Sequence, residues 1–283
     1  MPELPEVETV RRSLLAPVVG RMIVGLTGET FPGVMGTEGI EAIRPRLVGA
    51  TVVGVRRRAK YLILDLDDGT ALLVHLRMTG GLQVAPRSTA PLRFQHLAVE
   101  LDNGIDLRFT DQRKFGRVLH IQLSDLRHLH RRLGPEPLTT TFTARRFGQA
   151  LTTRPGKLKS VLLDQGLIAG LGNIYVDEAL FRARIHPERA ANSLSSHEVR
   201  RLHRAIRAVL REGILNRGTT FSSYRDGNGA AGGNQGNLHV YGRGGTGTCP
   251  RCSRPLRRIV VGGRGTSFCL KCQPLEPQPI DED

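Results

Sequence analysis

Nowhere does this chain carry the roughly 20 consecutive apolar residues that a membrane-spanning helix needs. No secretory leader is expected either. Met1-Pro2-Glu3-Leu4-Pro5-Glu6 is acidic and proline-broken, where a signal peptide starts positive and turns apolar. These absences give the expectation of a cytoplasmic chain without a membrane partner. Cysteine is scarce. The 4 cysteines among 283 residues all lie between Cys249 and Cys272, so they cannot staple the rest of the chain. Acid is short as well, with 26 Asp plus Glu against 41 Lys plus Arg, a formal charge of +15.

That excess favours a polyanionic partner, nucleic acid first. A uniformly basic protein with no such partner is the competing reading. The local pattern speaks for the first. Arg243, Arg251, Arg254, Arg257, Arg258, Arg264 and Lys271 fall in one stretch, to Cys272, that has no acid. The final residues, 274–283, reverse the pattern with Glu276, Asp281, Glu282 and Asp283 and read as a disordered acidic tail.

The length allows two domains with their own cores. Residues 3–19 repeat apolar side chains at helical spacing and stop at Gly20. From Met22 to about Leu123 the period shortens to two. Strands are expected at 51–55, 61–66, 71–76, 96–101, 105–109 and 117–123, with hairpin turns at Asp67-Asp68-Gly69 and Asp102-Asn103-Gly104. Many short strands with tight turns imply an antiparallel sandwich or barrel. After Gly134-Pro135-Glu136-Pro137, helical patterns follow at 143–151, 157–164, 173–183 and 195–216. The arginine face of the last helix reads equally well as a solvated surface. Residues 217–248 are rich in glycine and read as a mobile loop, with an ordered piece near Leu238–Tyr241.

Cys249-Pro-Arg-Cys252 and Cys269-Leu-Lys-Cys272 bracket 16 residues. Two CxxC pairs supply four thiolates, which suits a closed structural zinc site. A catalytic zinc would want an open position and His or carboxylate ligands, and disulfides do not suit a cytoplasmic chain. One structural Zn²⁺ and no organic cofactor are expected. The intervening segment reads as a hairpin with Arg264 at its glycine-rich tip.

The opening Met1-Pro2-Glu3-Leu4-Pro5-Glu6-Val7-Glu8-Thr9 has an ordinary explanation. Proline is tolerated at a helix start, and acids suit the positive end of the helix dipole. It also resembles the signature start of the formamidopyrimidine-DNA glycosylase family. Lys159-Ser-Val-Leu-Leu-Asp-Gln165, Ile168-Ala-Gly-Leu-Gly-Asn-Ile-Tyr175, Val240-Tyr-Gly-Arg243 and the four cysteines keep that family's order. The resemblance covers residues 1–273 and implies an α+β multidomain fold. Its parts would be an N-terminal helix with a β-sandwich (1–136), a helix–two-turn–helix domain (137–225), a Gly-rich mobile loop (226–248) and a zinc-finger hairpin (249–273).

The resemblance also implies a role for particular residues. Pro2 would be the nucleophile through its amine once Met1 is removed, Glu3 the partner acid/base, and Glu6 a supporting carboxylate. Lys60, Asn173 and Arg264 would bind phosphate, and Lys159 and His96 would contact DNA. Met78, Arg113 and Phe115 would fill the gap left by an extruded nucleotide. Composition alone would read Met78 and Phe115 as core, Lys60 as a solvated lysine and Asn173 as a helix cap. Ser222 and Tyr224 are candidate readers of the extruded base. Cys249, Cys252, Cys269 and Cys272 would hold the metal. The implied activity is excision of oxidised purines from duplex DNA with strand cleavage, by a monomer. Two other readings stay open: the sister endonuclease VIII-like branch, which prefers oxidised pyrimidines, and a zinc-ribbon DNA binder without catalysis. Leu4 speaks against the former, which typically opens MPEGPE, and retention of Pro2 and Glu3 against the latter.

Overall fold

A computed structural model describes residues 1–28, 31 and 33–276. The chain divides into two compact units. One comprises Met1–Arg131 with Gly213–Gln235; the other comprises Arg132–Glu212 with the residues from Gly236 onward.

The first unit opens with α1 (Leu4–Val18), started by Glu3 as N-cap and Pro5 in the first turn. Its buried stripe of Leu4, Val7, Val10, Leu14 and Val18 has the expected helical spacing. There follow β1 (Ile23–Gly28), α2 (Gly39–Leu47), β2 (Val52–Arg58), β3 (Tyr61–Leu66), β4 (Thr70–His75), β5 (Gly80–Pro86), β6 (Gln95–Leu101), β7 (Ile105–Asp111), β8 (Arg117–Gln122) and α3 (Leu126–Arg132). The strands form two four-stranded antiparallel sheets, ordered β1-β6-β7-β5 and β2-β3-β4-β8.

One apolar cluster joins both sheets to α1 and α2. It runs from Val7, Val10 and Leu14 through Ile43 and Leu47 to Leu62, Leu64, Val74, Leu97, Val99, Leu107 and Phe109. Each fully buried aliphatic side chain contributes roughly 1.5–3 kcal/mol relative to exposure. A smaller cluster, Ile63, Ala71 and Leu126 with Leu129, covers the outer face of the second sheet.

The second unit holds α4 (Ala144–Thr152), α5 (Leu158–Leu163), α6 (Asn173–Ala183) and most of α7 (Ser196–Leu215), then the hairpin β9 (Arg257–Val261) and β10 (Arg264–Phe268). The turn between α5 and α6 is stapled by one side chain. The Gln165 amide donates to the carbonyls of Leu163 and Leu171, and its oxygen accepts from the Gly170 N–H. At the β9–β10 turn Gly262 and Gly263 both have positive φ, and a Cβ on Gly262 would lie 2.5 Å from the Ser160 hydroxyl. That close approach seats the hairpin tip on α5.

Every strand expected from the sequence is present, and all four expected helices of the second half. The antiparallel sandwich, the helical turn and the cysteine hairpin stand as expected. The compact units are divided differently from the expected domains, because residues 213–225, expected in the helical domain, and 226–235, expected in the Gly-rich loop, belong to the first unit. In the expected acidic tail, 277–283 lie outside the described residues.

Candidate functional site

Pro2, Glu3 and Glu6 are all buried at the start of α1, while Met1 is exposed. Glu6 is the local hub. Its carboxylate accepts the Glu3 N–H at 2.9 Å and the Thr219 N–H at 2.7 Å. One side chain thereby ties the chain's first residues to the segment 217–235. Gly218 is required at this junction, because its φ is +80° and a Cβ would meet Glu6 Cγ at 3.0 Å.

Further along α1, Glu8 binds Arg11 and Arg12 of its own helix and Arg57 of β2. Burial alone would raise its pKa. The hydrogen bonds from Arg11 and Arg12, with the charges of Arg11 and Arg57, win and hold it at about 2. Arg57 also donates to the Ala59 carbonyl, fixing the turn that carries Lys60. Lys60 is buried, which removes the reading of a solvated lysine. Its charge helps depress the neighbouring His75.

The segment 217–235 differs from the expected mobile loop. Gly227 donates its N–H to the Ser13 hydroxyl and accepts the Val84 N–H through its carbonyl. Asp226 is buried, pairs with Arg217 and accepts the Asn228 and Ala230 N–H groups. Tyr224, expected as a candidate base reader, packs inward. Its ring is buried and its hydroxyl donates to the carbonyls of Glu6 and Arg217 at 3.2 Å. Burial, then the charge of Glu6, pushes that hydroxyl well above the usual phenol range. Tyr224 therefore holds the base of the segment on α1. Ser222 is exposed.

The gap-filling candidates lie on two neighbouring turns. Met78 is half-buried between β4 and β5; Arg113 and Phe115 are exposed between β7 and β8. The Arg113 guanidinium lies over the Phe115 ring at 4.9 Å. Phe115 is half exposed, so the core reading fails for it. His96, expected to contact DNA, is buried against the Phe31 ring, with Nε2 2.8 Å from the Asp111 carbonyl.

In the second unit, Asn173 opens α6 and its amide donates to the Gly265 carbonyl at 3.1 Å, beside the exposed Arg264. The helix N-cap is Gly172, without a side-chain cap bond, so the Asn173 amide joins α6 to the hairpin instead of capping its own helix. Lys159, expected to contact DNA, is fully buried, and its ammonium donates to Asp177 Oδ1 at 2.6 Å and to the Gly265 carbonyl at 2.9 Å. Burial pushes Asp177 up to about 6 against the opposing Lys159 charge. The other Asp177 oxygen accepts the Ser267 N–H. Glu178 next to it accepts the N–H groups of His239, Val240 and Tyr241, which orders the short piece expected at 238–241.

Sequence reasoning missed Asp111, Asp177 and Glu178. All three are buried acids, and in a sequence they look like surface charges.

The four cysteine sulfurs lie within 4.8 Å of one another, with Cys249–Cys272 at 3.8 Å and Cys252–Cys269 at 3.5 Å. Tetrahedral Zn²⁺ with bonds of about 2.3 Å separates its sulfurs by about 3.8 Å. The donor set and spacing fit one structural zinc. Cys249 and Cys269 pack with Phe181, Val240 and Leu256, and Arg251 stacks on Phe181 at 4.3 Å, anchoring the module to α6.

Three family models match successive parts of the chain. They are the formamidopyrimidine-DNA glycosylase N-terminal domain over residues 1–118, the H2TH domain of the same enzyme over 133–225, and a zinc finger found in FPG and IleRS over 248–275. Formamidopyrimidine-DNA glycosylase of Herpetosiphon aurantiacus is 49% identical over 273 residues, covering 96% of this chain and 100% of the relative. That of Chloroflexus aurantiacus is 46% identical, covering 99% and 100%. Among solved structures, Lactococcus lactis Fpg in complex with abasic-site DNA has a TM-score of 0.89 at 38% identity, covering 96% of this chain and 99% of that one. MutM from Thermus thermophilus has a TM-score of 0.86 at 42% identity, covering 98% and 100%. With three domain models in sequence order and close relatives matched end to end, this chain belongs to the formamidopyrimidine-DNA glycosylase family.

Proposed function

We propose that the protein is a bifunctional glycosylase and abasic-site lyase that removes oxidised purines (8-oxoguanine and formamidopyrimidines) from duplex DNA and works through Pro2. The observation that carries this reading is the gathering of Pro2, Glu3 and Glu6 at one buried helix start, with Glu6 holding Glu3 by its N–H. The solved relatives from Lactococcus lactis are complexes with abasic-site DNA and with Fapy-dG DNA, which supports DNA as the partner.

The chemistry follows from the amine. An α-amino group has an unperturbed pKa of roughly 7.7–8.0, so part of it is neutral near pH 7. Once Met1 is removed, the neutral Pro2 nitrogen attacks C1′ of the damaged nucleotide, the bond to the base breaks, and the departing base takes up the proton that the Pro2 nitrogen gives up. Glu3 delivers a proton to the sugar oxygen as the ring opens, leaving an iminium on Pro2. The iminium acidifies the 2′ carbon. Loss of that proton expels the 3′ phosphate, and a second elimination expels the 5′ phosphate.

A stacked base cannot reach such a site, so the nucleotide is extruded at a cost of a few kcal/mol. Met78 and Phe115 wedge into the stack, and Arg113 hydrogen-bonds the orphaned cytosine. Lys60 in the first unit, and Asn173 with Arg264 in the second, contact phosphate. Ser222, exposed on the segment 217–235, remains a candidate reader of the base. The zinc is structural and takes no part in the reaction. The protein acts in the bacterial cytoplasm as a monomer.

Borohydride trapping tests the reading. The Met1-processed protein should form a covalent adduct with a duplex carrying 8-oxoguanine opposite cytosine. An absent adduct, or one formed with 5-hydroxyuracil and not 8-oxoguanine, would remove oxidised purines from the proposal.

A further inference from the structure

Asp111, at the end of β7, has a fully buried carboxylate whose two oxygens are both spent on neighbouring turns. Oδ1 accepts the Thr79 hydroxyl and the Arg113 N–H at 3.1 Å; Oδ2 accepts the Phe115 N–H at 2.8 Å and the Gly116 N–H at 2.7 Å. The Thr79 hydroxyl also accepts the Arg113 N–H at 3.1 Å, so the turn carrying Met78 and the turn carrying Arg113 and Phe115 share donors and acceptors. The backbone of Asp111 reaches a third segment. Its N–H donates to the Phe94 carbonyl at 3.0 Å, and its carbonyl lies 2.8 Å from His96 Nε2.

Gly116 is compelled by the same cluster, since a Cβ there would sit 2.5 Å from the Phe109 ring and 3.1 Å from Asp111 Oδ2. Lys114, between Arg113 and Phe115, holds a left-handed φ of 59°. The half-exposed Phe115 ring therefore gets its position from backbone hydrogen bonds instead of from burial in the core.

We infer that Asp111, acting with Thr79, is the positioning residue that sets Met78, Arg113 and Phe115 as one preassembled wedge and so determines preference for the base opposite the lesion. This rests on the proposed entry of those three side chains into the DNA. An ionised carboxylate is suited to the task because charge-assisted bonds to several N–H groups are short and directional. Preorganisation removes the need to order the two turns upon binding. An amide in its place would offer one acceptor oxygen and turn an NH₂ toward a backbone N–H.

The test uses Asp111→Asn and Thr79→Val with two substrates. One is a duplex with 8-oxoguanine opposite cytosine or adenine; the other is a single-stranded abasic oligonucleotide, which has no opposite base and no gap to fill. Single-turnover excision from the cytosine duplex should fall by about 10- to 100-fold in Asp111→Asn. That loss should exceed the loss of borohydride trapping on the single strand, and the cytosine-over-adenine preference should shrink. Thr79→Val, which swaps a hydroxyl for a methyl of similar size, should show a smaller change in the same direction. Equal losses on both substrates, or an unaltered opposite-base preference, would overturn the inference. If Asp111→Asn fails to fold, Thr79→Val decides alone. A wild-type protein inactive on both substrates would overturn the parent reading and this one with it, whereas an active wild type with unselective variants overturns this one only.

Discussion

Met1 is 44% exposed, while Pro2 and Glu3 directly behind it are buried, so the residue to be removed is accessible and the residues that would react are held. As long as Met1 is attached, the Pro2 nitrogen is a tertiary amide and cannot attack anything. Adding one uncleavable residue before Pro2 should therefore lower borohydride trapping by at least about 10³. Duplex affinity, measured by fluorescence anisotropy, should change little, because the side chains proposed to bind phosphate are untouched. At this scale residue identity announced chemistry well but not location. Lys60, Lys159 and Arg264 are all cations in the sequence, yet Arg264 is exposed, Lys60 is buried and Lys159 is locked to Asp177 and Gly265.

Among the elements, β4 carries a titration built into its end. His75 Nδ1 accepts the Arg77 N–H at 3.0 Å, and its ring meets Tyr61 edge-on at 4.5 Å. Burial first, then the charges of Arg77 and Lys60, pull its pKa down from 6.5 to about 3. A histidine depressed in the folded state stabilises the fold above its unfolded pKa, and that stability is lost as pH falls toward its folded pKa. The unfolded chain binds the extra proton between about 6.5 and 3, with a slope of at most about 1.4 kcal/mol per pH unit. Thermal melts of the wild type should drop steadily from pH 6.5 to pH 4. His75→Gln, which retains an acceptor, should flatten that drop. An unchanged slope would locate the acid sensitivity elsewhere.

The elements also show which signals a sequence carries. Strands β2, β3, β4, β6, β7 and β8 were legible because alternation is local. Strand β1 (Ile23-Val-Gly-Leu-Thr-Gly28) and strand β5 (Gly80-Gly-Leu-Gln-Val-Ala-Pro86) were not, because glycine and proline mask the period. Helix α2 contains Pro45 and begins at Gly39, and both residues argue against a helix until packing of Ile40, Ile43 and Leu47 outweighs them.

For the whole molecule, the charge of +15 becomes a measurable property of DNA binding. Two cations assigned to phosphates, Lys60 and Arg264, require log affinity to fall with log salt at a slope steeper than about −1.8. Stripping zinc with a chelator should free the hairpin that carries Arg264 and reduce the slope by about 0.9. Anisotropy titrations from low to moderate salt measure both. A metal-free protein with an unaltered slope would separate Arg264 from the phosphate contacts.

The four-cysteine site, the alternating strands β2, β3, β4, β6, β7 and β8 and the resemblance of the first nine residues were determined by sequence alone. Each depends on residue types at short, fixed spacing. The burial of Tyr224 against Glu6, 218 positions away, and of Lys159 against Gly265, 106 positions away, was decided only by tertiary structure. So was the convergence of two turns on Asp111, whose partner Thr79 lies 32 positions earlier. The physical reason is common to all three. A polar side chain declares what it can bond, but which distant backbone group it meets is set by how the apolar faces pack.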